Sequence, residues 1–129
     1  SSSAASVVYK RQINVYGKSG HSAFSNSYIN PCTALAKIIA KLKSSSLDNG
    51  TKFMPPSNLE FTKMNVDNLS ENVVPQSASA KFNVRFNSKH KSASLKKKLS
   101  KIINAVAALV DISDPNRSKE EENQKLIYF

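Results

Sequence analysis

Between positions 78 and 86 the chain alternates without exception. Ala78, Ala80, Phe82, Val84 and Phe86 are apolar, and Ser79, Lys81, Asn83 and Arg85 are polar. Successive side chains of a strand point to opposite faces, so this stretch is a strand with one dry and one wet side. Such a strand needs partner strands beside it and apolar cover over its dry side. The rest of the chain must supply both.

Val7 to Tyr16 predicts a second strand, with Tyr9, Arg11, Ile13 and Val15 on one face and Lys10, Gln12 and Asn14 on the other. A third is expected over about Asn58 to Val66, after Pro55-Pro56 has interrupted regular structure. A polar turn, Asp67 to Glu71, then leads through Asn72-Val73-Val74-Pro75 into the alternating strand. Cover comes from two helices. Asn30-Pro31 opens the first, because Asn is a favoured N-cap and Pro fits the first helical position. Ala34, Leu35, Ile38, Ile39 and Leu42 form its apolar stripe, and Lys37, Lys41 and Lys43 its wet side. The second spans about Ser92 to Val110, with Leu95, Leu99, Ile102, Ile103, Val106 and Leu109 inward and Lys96, Lys97, Lys98 and Lys101 outward. Asp114-Pro115 is a break, and Lys125 to Phe129 predicts a last, edge strand. No repeat of solenoid length is present.

The resulting order, β-α-β-β-α-β, is that of the split βαβ unit. It predicts an α+β fold: a ferredoxin-like two-layer sandwich, with a four-stranded antiparallel sheet and two helices on one face. Residues 1–110 are expected to form the domain, and 111–129 a tail belonging to it. Two of the three glycines fall in Gly17-Lys18-Ser19-Gly20-His21. That stretch is expected to be a loop with unusual backbone dihedrals.

Composition narrows the function. A chain of 129 residues with 40% hydrophobic content builds one domain with a real core. No apolar run approaches the roughly 20 residues that cross a bilayer, so no membrane association is expected. Ser1 to Ser6 has neither a basic n-region nor an apolar h-region, so no signal peptide is expected. One cysteine excludes an intrachain disulfide framework and fits a reducing, cytoplasmic setting. Lys and Arg outnumber Asp and Glu by 19 to 9, for a net charge of +10, which favours an anionic partner.

Chemistry-bearing groups are sparse. His21 and His90 stand far apart, and His90 sits in the basic turn Ser88-Lys89-His90-Lys91. Glu120-Glu121-Glu122 has no histidine nearby and reads as a solvated tail. Cys32, in a first helical turn, reads as an inert half-buried thiol. No phosphate loop and no Gly-x-Ser-x-Gly elbow occurs. No metal ligand set and no cofactor site is therefore expected in this chain. His21 after two glycines, Asn72 in a polar turn and Arg85 on the wet strand face remain.

Four motifs carry a resemblance. Gly17-Lys18-Ser19-Gly20-His21-Ser22-Ala23, Asn30-Pro31, Asn72-Val73-Val74-Pro75 and Phe82-Asn83-Val84-Arg85-Phe86 occur in this order. Together they resemble the dimerisation, or lid, domain of the zinc-dependent amidohydrolase and exopeptidase family, over roughly Gln12 to Ile103. Asn30-Pro31 and Phe53-Met54-Pro55-Pro56-Ser57 look most like the bacterial succinyl-diaminopimelate desuccinylases of lysine biosynthesis. The chain departs from their pattern at Ala4-Ala5-Ser6-Val7, where an Arg-Arg-Gly-Ser stretch is usual, at Gln76, where glycine is, and at Ala23-Phe24-Ser25, where Ala-Tyr-Pro is.

The resemblance implies a lid that forms a homodimer and is linked to its own catalytic domain, which holds two zinc ions. It implies that His21 reaches into the partner subunit's site and stabilises the tetrahedral oxyanion. Asn72 similarly reaches across to hydrogen-bond substrate. Arg85 grips a carboxylate of an anionic small-molecule substrate, a task suited to the planar guanidinium fork. The chain alone is then expected to hydrolyse nothing. Two competing readings are the lid of another family member, such as an acetyl-amino-acid deacetylase or a dipeptidase, and a basic nucleic-acid-binding module. The last needs aromatic rings exposed at strand centres, yet Phe82 and Phe86 fall on the dry face. No nucleic acid is expected as a partner.

Overall fold

The alternating strand is the spine of the sheet. In a computed structural model it runs Ser77–Phe86 and is flanked on both sides. The structure describes residues 7–24, 28–50, 52–53, 55–68, 70–86, 92–113 and 127–129. In chain order the elements are β1 (Val7–Tyr16), β2 (Gly20–His21), α1 (Pro31–Ser44), β3 (Asn58–Asn65), β4 (Val73–Val74), β5 (Ser77–Phe86), α2 (Ser92–Ser113) and β6 (Ile127–Tyr128).

Four strands form one antiparallel sheet in the order β3-β5-β1-β6. With the two helices this is the expected α+β, ferredoxin-like sandwich. Register follows the hydrophobic pattern, because a slip of one residue would turn every apolar side chain outward. Tyr9 lies opposite Val84, Ile13 opposite Ala80 and Val15 opposite Ala78. These residues and Phe82, Leu59 and Ile127 are buried together with Leu35 and Ile38 of α1 and Leu95, Leu99 and Ile103 of α2. Phe82 is 1% exposed, and its ring lies 5.3 Å from Phe61 and 5.8 Å from Phe129. With Phe86 also buried, neither ring of β5 is available for base stacking.

The start of α1 has a local cause. The Asn30 side chain accepts a hydrogen bond from the Cys32 N–H at 3.0 Å, and Pro31 occupies the first turn. Lys43, late in α1, donates to the Leu59 carbonyl and to the Glu60 carboxylate, both at 2.7 Å. It therefore ties the helix to the edge strand. α2 continues to Ser113, past the expected end at Val110.

Arg11 is the misfit of the β1 pattern. It shares the parity of Tyr9 and Ile13 yet is exposed. Among the described residues, β6 pairs with β1 at Asn14 and Val15 and does not reach Arg11. Arg11 emerges to solvent, its guanidinium 4.8 Å over the Tyr9 ring and its Nε–H donating to the Tyr9 hydroxyl at 2.7 Å.

The glycine-rich stretch corrects the expectation of unusual dihedrals. Among the described residues only Gly50 has a positive φ. What Gly17 provides is proximity. A Cβ there would lie 2.2 Å from the Ile29 carbonyl oxygen and 2.8 Å from Pro31 Cδ. Nor is the stretch all loop, because Gly20–His21 forms β2 and pairs with β4.

Candidate functional site

The antiparallel β1/β5 pair does not stop at the sheet. Beyond the Tyr16–Ser77 pair, the Gly17 N–H donates to the Gln76 carbonyl at 2.8 Å. Gly20 then pairs with Val74 and His21 with Val73, and the Ser22 N–H donates to the Asn72 carbonyl at 2.8 Å. From Gly17 to Gly20 is three steps, and from Gln76 back to Val74 is two. The first strand thus holds one extra residue, as in a bulge. Lys18 leaves the ladder there and pairs with Ile29 instead, through bonds of 2.9 and 3.0 Å. The Ser19 hydroxyl donates to the Val74 carbonyl at 2.9 Å. Pro75, which has no N–H, marks the junction between β4 and β5. The result is a two-stranded arm that prolongs the sheet at the β1/β5 end.

His21 is exposed on this arm. Its Nδ1 accepts a hydrogen bond from the Ala23 N–H at 3.1 Å. In the neutral ring the proton then resides on Nε2, which makes Nε2–H a donor. The Phe24 N–H closes a turn onto the His21 carbonyl at 3.0 Å, and the Phe24 ring lies 5.6 Å from the imidazole. Asn72 is exposed on the opposing strand, and its backbone N–H donates to the Ser70 hydroxyl at 3.3 Å. Among the described residues, neither His21 Nε2 nor the Asn72 side-chain amide has a hydrogen-bond partner.

Arg85 is exposed on the uncovered face of the sheet, on the side the alternation assigns to it. It lies between Val8 of β1 and Asn58 of β3. Its guanidinium has no ion pair among the described residues. The structure does not bring it to the other two. Ser77 adjoins the arm, and eight strand steps separate it from Arg85, a span of about 26 Å at strand rise. One small molecule cannot touch His21 and Arg85 of the same chain.

The described residues contain no group of three or more His, Cys, Asp or Glu side chains able to hold a metal ion. No described helix is long and apolar enough to cross a membrane. Cys32 is a half-buried free thiol, while His90 and Glu120 to Glu122 lie outside the described residues. Reading the sequence missed the arm itself and the Phe24 ring beside His21. Two-residue strands have no period to detect. The exposed Phe24 was visible only as an aromatic in a polar loop.

Residues 8–111 match the family described as the peptidase dimerisation domain. The chain is 44% identical over 95 residues to a succinyl-diaminopimelate desuccinylase of Pelagibacter ubique, covering 74% of this chain and 25% of that protein. It is also 44% identical over 94 residues to the enzyme of that name from Zymomonas mobilis, covering 73% and 25%. The chain thus spans about a quarter of the length of the curated relatives it matches. Among solved structures, an aminobenzoyl-glutamate utilization protein from Klebsiella pneumoniae superposes with a TM-score of 0.66 at 19% identity, over 83% of this chain and 26% of that one. A dinuclear metal binding peptidase from Bacillus subtilis does so with a TM-score of 0.57 at 21% identity, over 81% and 23%. These two likenesses concern the fold. With the family match over most of its length and its desuccinylase relatives, the chain belongs to the peptidase dimerisation domain family.

Proposed function

We propose that this chain is the dimerisation and lid domain of a cytoplasmic, zinc-dependent succinyl-diaminopimelate desuccinylase of lysine biosynthesis, and that it works by delivering side chains to a reaction centre housed in a linked catalytic domain. The observation that carries this reading is the arm. It holds His21 and Asn72 beyond the end of the sheet, with the His21 Nε2 and the Asn72 amide unpartnered among the described residues and Arg85 more than about 26 Å away along the strand. That separation makes sense if two subunits share each site. The arm of one chain then enters its partner's site, while Arg85 serves the site of its own chain.

In such a site the metal chemistry comes from the catalytic domain. His21 donates Nε2–H to the developing oxyanion, the place where a fixed donor acts most strongly. Asn72 hydrogen-bonds the substrate. Arg85 binds a substrate carboxylate through charge-assisted hydrogen bonds. Self-association fits the outer edge of β3, which is the edge strand on the α1 side and exposes Met64. Pairing β3 with its copy about a two-fold axis gives a closed dimer.

The test is substitution in the full-length enzyme. His21→Ala is expected to lower kcat by about 10²–10³-fold, the loss of one oxyanion donor, with metal content unchanged. Arg85→Ala is expected to raise KM for the succinylated substrate. A His21→Ala enzyme with kcat within about twofold of the parent overturns the reading, because a mere turn residue gives that result.

A further inference from the structure

The uncovered face of the sheet carries four cations. Register places Lys63 of β3 directly opposite Lys81 of β5, and Lys81 opposite Gln12 of β1. The next row is Glu60, Asn83 and Lys10, and the one after is Asn58, Arg85 and Val8. Lys10 is thus a diagonal neighbour of Lys81, within reach of two long side chains. The one acid in these rows, Glu60, is held by Lys43 at 2.7 Å. Among the described residues, Lys10, Lys63 and Lys81 have no ion pair and no side-chain hydrogen bond. Like charges placed opposite one another across strands destabilise a sheet.

A second feature coincides with the cluster. The β3/β5 register shifts between Phe61 and Lys63, leaving Thr62 as an extra residue beside Lys81. Bulges of this kind re-aim side chains. A shallow cleft of about 620 Å³ spans the same three strands and is lined by Lys10, Arg11, Gln12, Thr62, Lys81, Phe82 and Asn83, with Phe129 also in its wall. No helix residue lines it, and Lys10, Gln12, Lys81 and Asn83 of its lining have the parity of the uncovered face. Its volume falls in the range that takes small molecules. Its walls offer ammonium groups beside neutral hydroxyl and amide groups, with no carboxylate side chain among them.

We propose that this cleft is a binding subsite for a small anion bearing two or more carboxylates, with Lys10 and Lys81 as its principal cations and Thr62 and Asn83 as neutral partners. It is distinct from Arg85, which lies four strand steps from Lys81. The subsite belongs to this chain's own surface and does not depend on dimerisation or on the arm.

Propane-1,2,3-tricarboxylate is the probe, titrated into the 129-residue chain at constant ionic strength and followed by amide NMR shifts, with acetate as the monovalent comparison. Saturable shifts confined to Lys10, Gln12, Thr62, Lys81 and Asn83 are expected with the tricarboxylate alone. Lys10→Gln with Lys81→Gln should weaken binding by about tenfold, the loss of two exposed charge contacts. Lys10→Arg with Lys81→Arg should retain it, and Lys41→Gln with Lys101→Gln, away from the face, should leave it within about twofold. Non-saturable shifts, an equal response to acetate, or equal weakening by the Lys41/Lys101 pair would each show general screening and overturn the proposal. So would a single-stranded RNA that engages the same amides more tightly than the tricarboxylate in moderate salt, because the face would then serve a polymer.

Discussion

Gly17→Ala should destabilise the chain, although alanine for glycine at a negative φ ordinarily does the reverse. Where space allows, that replacement stabilises by about 0.4–1 kcal/mol through the unfolded state. At Gly17 the added carbon would lie 2.2 Å from the Ile29 carbonyl oxygen and 3.1 Å from its carbon. Carbon atoms in contact normally stand about 3.5–4.0 Å apart. The obstructing atom is backbone, and it already accepts the Lys18 N–H at 2.9 Å. Relief requires the Lys18–Ile29 bridge to open, with the loss of both its hydrogen bonds. At about 1 kcal/mol each this is about 2 kcal/mol. Crowding of Pro31 Cδ, 2.8 Å away, adds about 1 kcal/mol more. After the unfolded-state gain, a net loss of about 2 kcal/mol remains. Chemical denaturation should show it as a lower midpoint at unchanged slope. Thermal unfolding should show a fall of about 8 °C. Amide exchange at Lys18 and Ile29 should accelerate in the variant. Unchanged or increased stability would refute the steric account and return Gly17 to the role of an ordinary loop glycine.

Three further outcomes follow from the same structure. Asn30→Ala should cost about 1 kcal/mol by urea denaturation, because the Cys32 N–H loses its cap, whereas Asn30→Asp should keep most of the stability. Phe82→Ala should cost about 3–5 kcal/mol, because a fully buried ring between Phe61 and Phe129 is removed. The purified 129-residue chain should release no succinate from N-succinyl-diaminopimelate, with or without added zinc, in a coupled succinate assay.

Much of this was legible in the residues because period is a strong signal. The alternation of β5 fixed both its own two faces and, through register, those of β1. The helical stripes of α1 and α2 appear in the core as read, and the Asn30 cap sits where the Asn-Pro pair implied. The side chain of Leu109 lies outside the described residues. Arg85 was placed on the wet face by parity alone, and the exposed Arg85 agrees with it. Local pattern fails where placement depends on distant chain. The Gly17 requirement comes from Ile29 and Pro31, twelve and more residues away. The pairing of β2 with β4 joins segments some fifty residues apart and is too short to leave a pattern. Arg11 follows the parity of β1 but emerges to solvent, where its guanidinium lies over the Tyr9 ring. The roles of His21, Asn72 and Arg85 rested on resemblance. Geometry adds that the first two share an arm and that the third stands far from it.

Mixed dimers of the full-length enzyme test the shared-site account most directly. A subunit carrying His21→Ala is co-expressed with one carrying Arg85→Ala, and activity is read at substrate well below KM, where each homodimer is nearly inactive. If the arm acts on the partner and Arg85 on its own chain, one site of every mixed dimer receives both intact residues. Random pairing then restores about a quarter of the parent activity, given two-fold symmetric dimers. Activity no higher than that of the two homodimers would contradict the division of the site between subunits.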